Sequence, residues 1–425
     1  MIINAEGHLE IAGADAVKLA KEFGTPLCCI DENKLRSNIS EYKSSLGNID
    51  CDIAYAGKAF LTIAMCQIVK EEDLSLDVVS GGELYTAIKA GFPAKRIYFH
   101  GNNKSPEELE MAVQSGVGTI VVDNAYELEL LRGIVSEDGK QQDILLRISP
   151  GVEAHTNAYI STGQTNSKFG FGISGRDAEN AVKKASNISG INLKGIHSHI
   201  GSQIFALESF NEEIHVLCEF LARMKYENGW EAERLDIGGG LGIRYSSLDT
   251  PPTIKEYGRV VIDSLNKAAE KFGLKVPKLI VEPGRSIIGN AGYTLYTVGA
   301  IKDIPGIRKY VSVDGGMADN PRTALYGAKY HAVIANKSGL ESAETVTIAG
   351  KCCESGDMLI WDIDLPIIEP GDILAIFSTG AYNYSMSSNY NRLPKPAVVM
   401  VKNGRARIAV KRETYEDIIK NDVII

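Results

Sequence analysis

A lysine, a glutamate–arginine turn, a glycine run and a pair of histidines are the residues of this chain whose spacing could do chemistry. Lys58 falls directly after a short apolar run, in Tyr55-Ala56-Gly57-Lys58-Ala59-Phe60. A lysine at the mouth of a buried strand bundle can join a carbonyl cofactor covalently if its surroundings keep part of it neutral. Taken alone, it reads more simply as a solvated surface residue. Glu282-Pro283-Gly284-Arg285-Ser286 follows another apolar run. Pro283 and Gly284 make a turn that aims Glu282 inward and offers Arg285 to an anion. A buried carboxylate there can keep a pyridine nitrogen protonated, which makes the ring an electron sink. The plainer alternative is a surface ion pair worth little. The run Gly238-Gly239-Gly240-Leu241-Gly242 lacks the lysine of a P-loop and the spacing of a dinucleotide fingerprint. Backbone amides of such a run suit a phosphate. His197 and His199, two apart on an expected strand, share one face. Too few further ligands stand nearby for zinc, so no metal is expected, and a flat imidazole is equally a surface on which a ring stacks. A further set lies late in the chain: Cys352–Asp357 (CCESGD), Asp319–Tyr326 (DNPRTALY) and Gly380–Asn391 (GAYNYSMSSNYN). A cysteine in such a run is usually a buried structural thiol, and acts as a catalyst only if exposed with a suitable pKa.

The elements that must position these residues alternate. Eight short apolar runs, Asp52–Tyr55, Leu76–Val79, Ile97–Phe99, Thr119–Val122, Ile144–Ile148, Gly195–His199, Arg234–Ile237 and Leu279–Val281, read as strands buried on both faces. Helical patterns fill the gaps at Glu83–Ala90, Pro106–Ser115, Asn124–Ile134, Phe210–Asn228 and Ile254–Phe272. Polar residues and glycines cluster just past the strand ends. Eight such units predict a TIM-like (β/α)8 barrel with its site at the C-terminal ends of the strands; phosphates there favour the loops after strands seven and eight. After about Asn290 the pattern changes to short strands with few helices: Tyr293–Ala300, Lys309–Val313, Thr345–Ile348, Ile373–Phe377, Ala397–Val401 and Arg407–Lys411. Thr25–Ile30 reads as an isolated strand that joins them. The expected fold class is therefore α/β plus all-β. A barrel over 31–290 is followed by an antiparallel β domain, a second barrel or sandwich, built from 1–30 and 291–425.

Composition is that of an ordinary globular protein, 44% hydrophobic and 23% charged over 425 residues. A net charge of −9 argues against nucleic acid or an anionic membrane as partner. Seven scattered cysteines without a CxxC pair suggest neither a disulfide framework nor a zinc site. The first residues lack a signal-peptide pattern, and no run approaches the roughly 18 apolar residues of a membrane span. These features point to the cytoplasm.

In order along nearly the whole chain, the runs YAGKA (55–59), DVVSGGELY (77–85), HGNNKS (100–105), VDN (122–124), PGVEAHT (150–156), SKFGF (167–171), GIHSHIGSQI (195–204), LDIGGGLG (235–242), EPGRS (282–286), VDGGM (313–317), CESGD (353–357), GAY (380–382) and RETYED (412–417) resemble the diaminopimelate decarboxylases. That family belongs to the fold-type III enzymes of pyridoxal 5'-phosphate (PLP). The resemblance implies conversion of meso-2,6-diaminopimelate to L-lysine and CO2. It implies that Lys58 carries PLP, His199 stacks on its ring and Glu282 pairs with the ring nitrogen. Ser202, the amides of Gly238, Gly239 and Gly240, and the Gly284–Arg285 turn would hold the phosphate region. Arg285, Arg322, Tyr326, Glu354 and Tyr382 would bind substrate, with Tyr382 also near the cofactor. Cys353 would come from a second subunit and protonate the carbanion, so that a homodimer shares its sites. The sequence departs from the family pattern at Phe60, Ser149, Asn157, Thr323, Leu393 and Lys395. Rival readings are a decarboxylase of ornithine, arginine or carboxynorspermidine, an amino-acid racemase, and a non-catalytic regulatory homologue. DNPRTALY and CESGD weigh against the first, the second would need a catalytic tyrosine opposite the lysine and usually a shorter chain, and the joint presence of Lys58, Glu282, Arg285 and Cys353 weighs against the third.

Overall fold

The computed structural model describes residues 1–152 and 167–425. It divides into two compact units, one of Asn38–Gly242 and Thr250–Ser286, the other of Met1–Ser37, Ile243–Asp249 and Ile287–Ile425.

In the first unit, eight parallel strands follow in chain order: β1 (Cys51–Ala56), β2 (Ser75–Val78), β3 (Ile97–Phe99), β4 (Thr119–Val122), β5 (Gln142–Ser149), β6 (Ile191–His197), β7 (Arg234–Asp236) and β8 (Lys278–Val281). Each pairs with the next, and β8 returns to β1 through Ile280 opposite Asp52, closing the barrel. β2 and β4 are buried at every position, which is why their sequences do not alternate. Ala54, Tyr98, Val121, Leu145 and Ile280 pack inside the ring as one layer. Helices begin close behind the strands because polar caps stop them there. Ser80 and Asn124 accept backbone N–H bonds at their helix starts. Ser105 and Thr253 form full capping boxes with Glu108 and Glu256.

Pro106–Ser115 and Ile254–Phe272 are helices with the bounds the pattern gives. β6 differs: it starts at Ile191, shifts register between Leu193 and Gly195, and stops at His197. His199 therefore lies beyond the strand, and the strand argument that put it on one face with His197 fails.

In the second unit, the 13-residue strand Gly292–Ile304 is central. It pairs with Leu27–Asp31, Ile373–Phe377 and Arg308–Val313, all antiparallel. A register shift between Val298 and Ile301 separates the two stretches of pairing. Two buried clusters result, one around Tyr296, Val311 and Ile348, the other around Leu9, Leu27 and Val399. The sheet is not wholly antiparallel. Leu27–Asp31 lies parallel to Ala397–Lys402, and Arg308–Val313 parallel to Glu344–Ala349. Each parallel pair joins segments far apart in the chain, so no hairpin dictates direction. Strands Leu9–Ile11, Ala332–Ile334 and Met358–Leu365 carried no sequence signal strong enough to be expected.

Candidate active site

Lys58 sits in the 3-10 turn Gly57–Ala59 directly past β1. The loop after β8 braces that turn. Ala56 N–H donates to Pro283 O (3.2 Å), and a Cβ on Gly284 would stand 3.0 Å from the Cβ atoms of Ala56 and Ala59. Lys58 lies close enough for its charge to act on Asp77, Glu83 and His199.

Glu282 lies at the end of β8 and is 5% exposed. Its Oε1 is 2.6 Å from His100 Nε2 and its Oε2 is 3.3 Å from His197 Nε2. The two imidazoles meet edge to face, 4.8 Å apart. Asp236 and Asp77 are also buried beside this group. Burial pushes all three carboxyls up, but only Asp236 and Asp77 end above the usual range. The His100 and His197 rings hold Glu282 well below it. Burial lowers His197 to about 3, so its ring is neutral. The cluster thus favours the ionised form of Glu282 over that of Asp236 or Asp77.

The glycine loop after β7 runs along the same end of the barrel. Gly238 N–H donates to Asp236 Oδ1 (2.8 Å), and Gly239 N–H to His199 Nδ1 (3.3 Å). A Cβ on Gly239 would lie 2.2 Å from Glu282 O, and on Gly240 2.6 Å from Gly201 O. No other residue fits this close approach. Because His199 Nδ1 accepts, its proton is on Nε2. Burial, then the Lys58 and Arg147 charges, hold its pKa well below the usual value. His199 is therefore a neutral, partly exposed ring, suited to lie on a cationic heterocycle. Arg285 is 6% exposed and donates from Nη2 to Ser202 Oγ (2.8 Å), joining the loops after β8 and β6.

These side chains fit PLP. An ionised, buried Glu282 suits a protonated ring nitrogen, His199 is a flat ring face, and the glycine loop, Ser202 and Arg285 are groups that can donate to an anion. Several contributors had no expected role. Asp77, His100, Arg147, His197 and Asp236 stand at or near strand ends and Glu83 in the first turn of the helix after β2, positions that the sequence offered without saying which way they face. Burial raises Glu83 to about 7, and it accepts Val79 N–H (2.8 Å). Lys104 and Glu127 form a buried 2.7 Å pair that ties the loop after β3 to the helix after β4.

In the second unit, Arg322 opens the helix Arg322–Tyr326 and is 7% exposed, while Tyr326 at its end is half-buried. Cys353 is exposed and Cys352 buried. Burial, then Asp357, raises Cys352 to about 11, so it is the inert thiol of the pair. Cys353 N–H donates to Asn391 Oδ1 (2.6 Å). Asp357 accepts from Met317 N (2.6 Å) and Cys352 N (2.8 Å), pinning the Cys352–Asp357 turn to Asp314–Met317. Glu354 on that turn is exposed. Tyr382 has φ 62°, between buried Ala381 and Asn383. A bulky side chain in this conformation is costly and is found at functional sites.

The departures have local reasons where they are described. Phe60 fills the core, and its carbonyl accepts from Tyr55 OH (2.8 Å). Ser149 Oγ donates to Phe169 O (2.5 Å). Thr323 Oγ1 donates to Leu359 O (3.0 Å), fastening its helix to a strand. Leu393 O accepts from Asn389 Nδ2 (3.0 Å), and Lys395 N–H donates to Glu413 (2.9 Å). Asn157 and Glu153–Thr156 of the PGVEAHT run lie outside the described residues.

The family described as "Pyridoxal-dependent decarboxylase, pyridoxal binding domain" matches residues 32–289. The diaminopimelate decarboxylase of Bacillus subtilis (strain 168) is 53% identical over 422 residues, covering 99% of this chain and 96% of that one. The chain belongs to the diaminopimelate decarboxylase family. The Staphylococcus aureus (strain COL) diaminopimelate decarboxylase is 45% identical, covering 99% and 98%. The crystal structure of the M. jannaschii diaminopimelate decarboxylase in complex with L-lysine superposes with a TM-score of 0.93 at 36% identity, over 99% and 97% of the two chains. Like its family, this chain is a PLP-dependent decarboxylase on a barrel joined to a sheet domain. Among the described residues, His100, His197, Asp236 and Glu282 also bring metal-type ligand atoms within 4.8 Å of one another.

Proposed function

We infer that this chain releases CO2 from meso-2,6-diaminopimelate to give L-lysine, the last step of lysine formation. The full-length match to diaminopimelate decarboxylases carries the reading. Two buried arginines, Arg285 and Arg322, support it, since the substrate has a carboxylate at each end. Decarboxylases of ornithine or arginine face a distal group without a carboxylate and have no use for Arg322.

Bound PLP supplies an electron sink for the bond pair left behind by CO2. Lys58 is the residue that holds the cofactor's carbonyl carbon. Glu282 holds a proton at the ring nitrogen. His199 would stack on the ring, and Ser202, Gly239, Gly240, Gly284 and Arg285 would hold the phosphate region. Arg285, Arg322, Tyr326, Glu354 and Tyr382 grip the substrate. The partner subunit's Cys353 delivers the proton to the carbon that lost CO2. Its exposure beside a buried twin supports a thiol offered outward. The functional barrel is residues 31–290, with 1–30 and 291–425 as the β domain. We place the enzyme in the cytoplasm, with no nucleic-acid or membrane partner. All seven cysteines are free, and among the described residues no helix is long and apolar enough to cross a membrane.

A CO2-release assay with added PLP tests the function. Meso-diaminopimelate should yield L-lysine, identified by mass, and ornithine, arginine and lysine should yield nothing comparable. Turnover of one of those three in preference would move the specificity. The homodimer has its own test. Lys58→Ala and Cys353→Ala proteins should each be inactive, and mixing them should restore up to roughly a quarter of wild-type activity, because some mixed dimers assemble one intact site. Subunit exchange without any recovery would place Cys353 and Lys58 of one site on the same chain.

A further inference from the structure

Among the described residues, Arg322 is a buried cation without a counter-ion. Among the described residues no carboxylate lies within ion-pair distance of it. An isolated buried charge is expensive unless something pairs with it. What surrounds it instead is neutral and aromatic. Its Nη1 donates to Tyr330 OH (2.8 Å). Its guanidinium carbon lies 4.7 Å from the centre of the Tyr245 ring and 5.8 Å from that of Tyr330. The two rings stand perpendicular, 5.5 Å apart. The Tyr330 hydroxyl is 3.1 Å from Asn383 Oδ1 and donates to it. A phenol has one proton, so its remaining lone pairs must face Arg322. Burial also pushes Tyr330 up to about 12, which keeps the phenol neutral.

A carboxylate in place of these groups would hold the arginine equally well but would neutralise it. Ring faces and a phenol oxygen fix the guanidinium plane and stabilise its charge while leaving that charge for a ligand. We propose that Tyr245, Tyr330 and Asn383 are positioning residues that form a neutral cage around Arg322 and so set the enzyme's preference for substrates with a distal carboxylate. The cage rests on the reading of Arg322 as a substrate ligand. It also gives the Ile243–Asp249 segment a purpose, because Tyr245 belongs to it.

The ligands for a test differ in one group. L-Lysine keeps one complete amino-acid head, whereas cadaverine has neither carboxylate. Tyr330→Phe removes one oxygen and keeps the ring. It should raise KM for meso-diaminopimelate and the inhibition constant of L-lysine roughly tenfold, leave kcat within about twofold, and leave inhibition by cadaverine unchanged. Tyr245→Leu, which removes a ring face, should shift the same two constants. Should it fail to fold, Tyr330→Phe still decides. Equal weakening of lysine and cadaverine, or no change in either, overturns the cage. Arg322→Lys separates the two levels. If it leaves KM and lysine inhibition untouched, the substrate role of Arg322 fails. If it shifts both while Tyr330→Phe and Tyr245→Leu do not, the cage alone fails.

Discussion

Lys58→Ala should lose the visible absorbance of lysine-bound pyridoxal and lower kcat/KM by roughly 10⁴-fold, about 5 kcal/mol of barrier. No other lysine or cysteine stands in the turn past β1, so nothing nearby can replace the covalent link. The loss has a second component. The Lys58 charge lowers the pKa of Asp77 and Glu83. Without it both carboxyls move further up and the barrel mouth loses a cation. Lys58→Arg separates the two effects, since it restores the charge but cannot condense with a carbonyl. Both variants should lack the absorbance band and resist change on borohydride treatment. An arginine variant that kept most of the activity would reduce Lys58 to an electrostatic role.

The barrel was legible because its signal is repeated. Eight apolar runs spaced by helical patterns leave few alternatives, and helix bounds such as Pro106–Ser115 follow from a capping serine, a proline and a terminal glycine. The candidate site was legible only where polar residues interrupt those runs at strand ends. Lys58, Glu282 and the Gly238–Gly240 loop are of that kind. His100, Asp77 and Asp236 are too, but a strand-end residue does not declare its partners. Their roles depend on the closure of the ring, which brings the ends of β2, β3, β7 and β8 to one carboxylate. His197 is the harder case, because the strand was expected to reach His199. The bulge at Leu193 shifts its register, and a bulge leaves no mark in an apolar run. In the sheet domain the signal weakens further. Met358–Leu365 reads MLIWDIDL, and its alternation is broken by the exposed Trp361. Tyr245 and Tyr330 had no motif at all, being ordinary aromatic residues until the fold sets them around Arg322.

Glu282→Gln should lower kcat/KM by roughly 10²- to 10³-fold while the protein still binds PLP and folds, since removing one preorganised electrostatic partner in a buried site has that size of effect. Glutamine keeps the shape and the carbonyl oxygen but cannot carry the negative charge that holds a proton on the ring nitrogen. The sharper comparison is with Asp236→Asn. Asp236 and Glu282 are buried neighbours and cannot both ionise cheaply. The flanking His100 and His197 rings favour ionisation of Glu282, while burial, then the Glu282 charge, holds Asp236 well above the usual carboxylate range. An asparagine resembles a protonated aspartic acid, and its side-chain oxygen can still accept the Gly238 N–H. Asp236→Asn should therefore cost about tenfold or less. Equal damage from the two variants would mean that the charge is shared, or sits on Asp236. In that case the carboxylate at the ring nitrogen would be the pair rather than Glu282 alone. The pH profile distinguishes these outcomes. With Glu282 as the ionised member, its depressed pKa keeps the active form populated as pH falls through the ordinary carboxylate range. Asp236→Asn should leave that acid limb where it is, whereas a shared charge would move it.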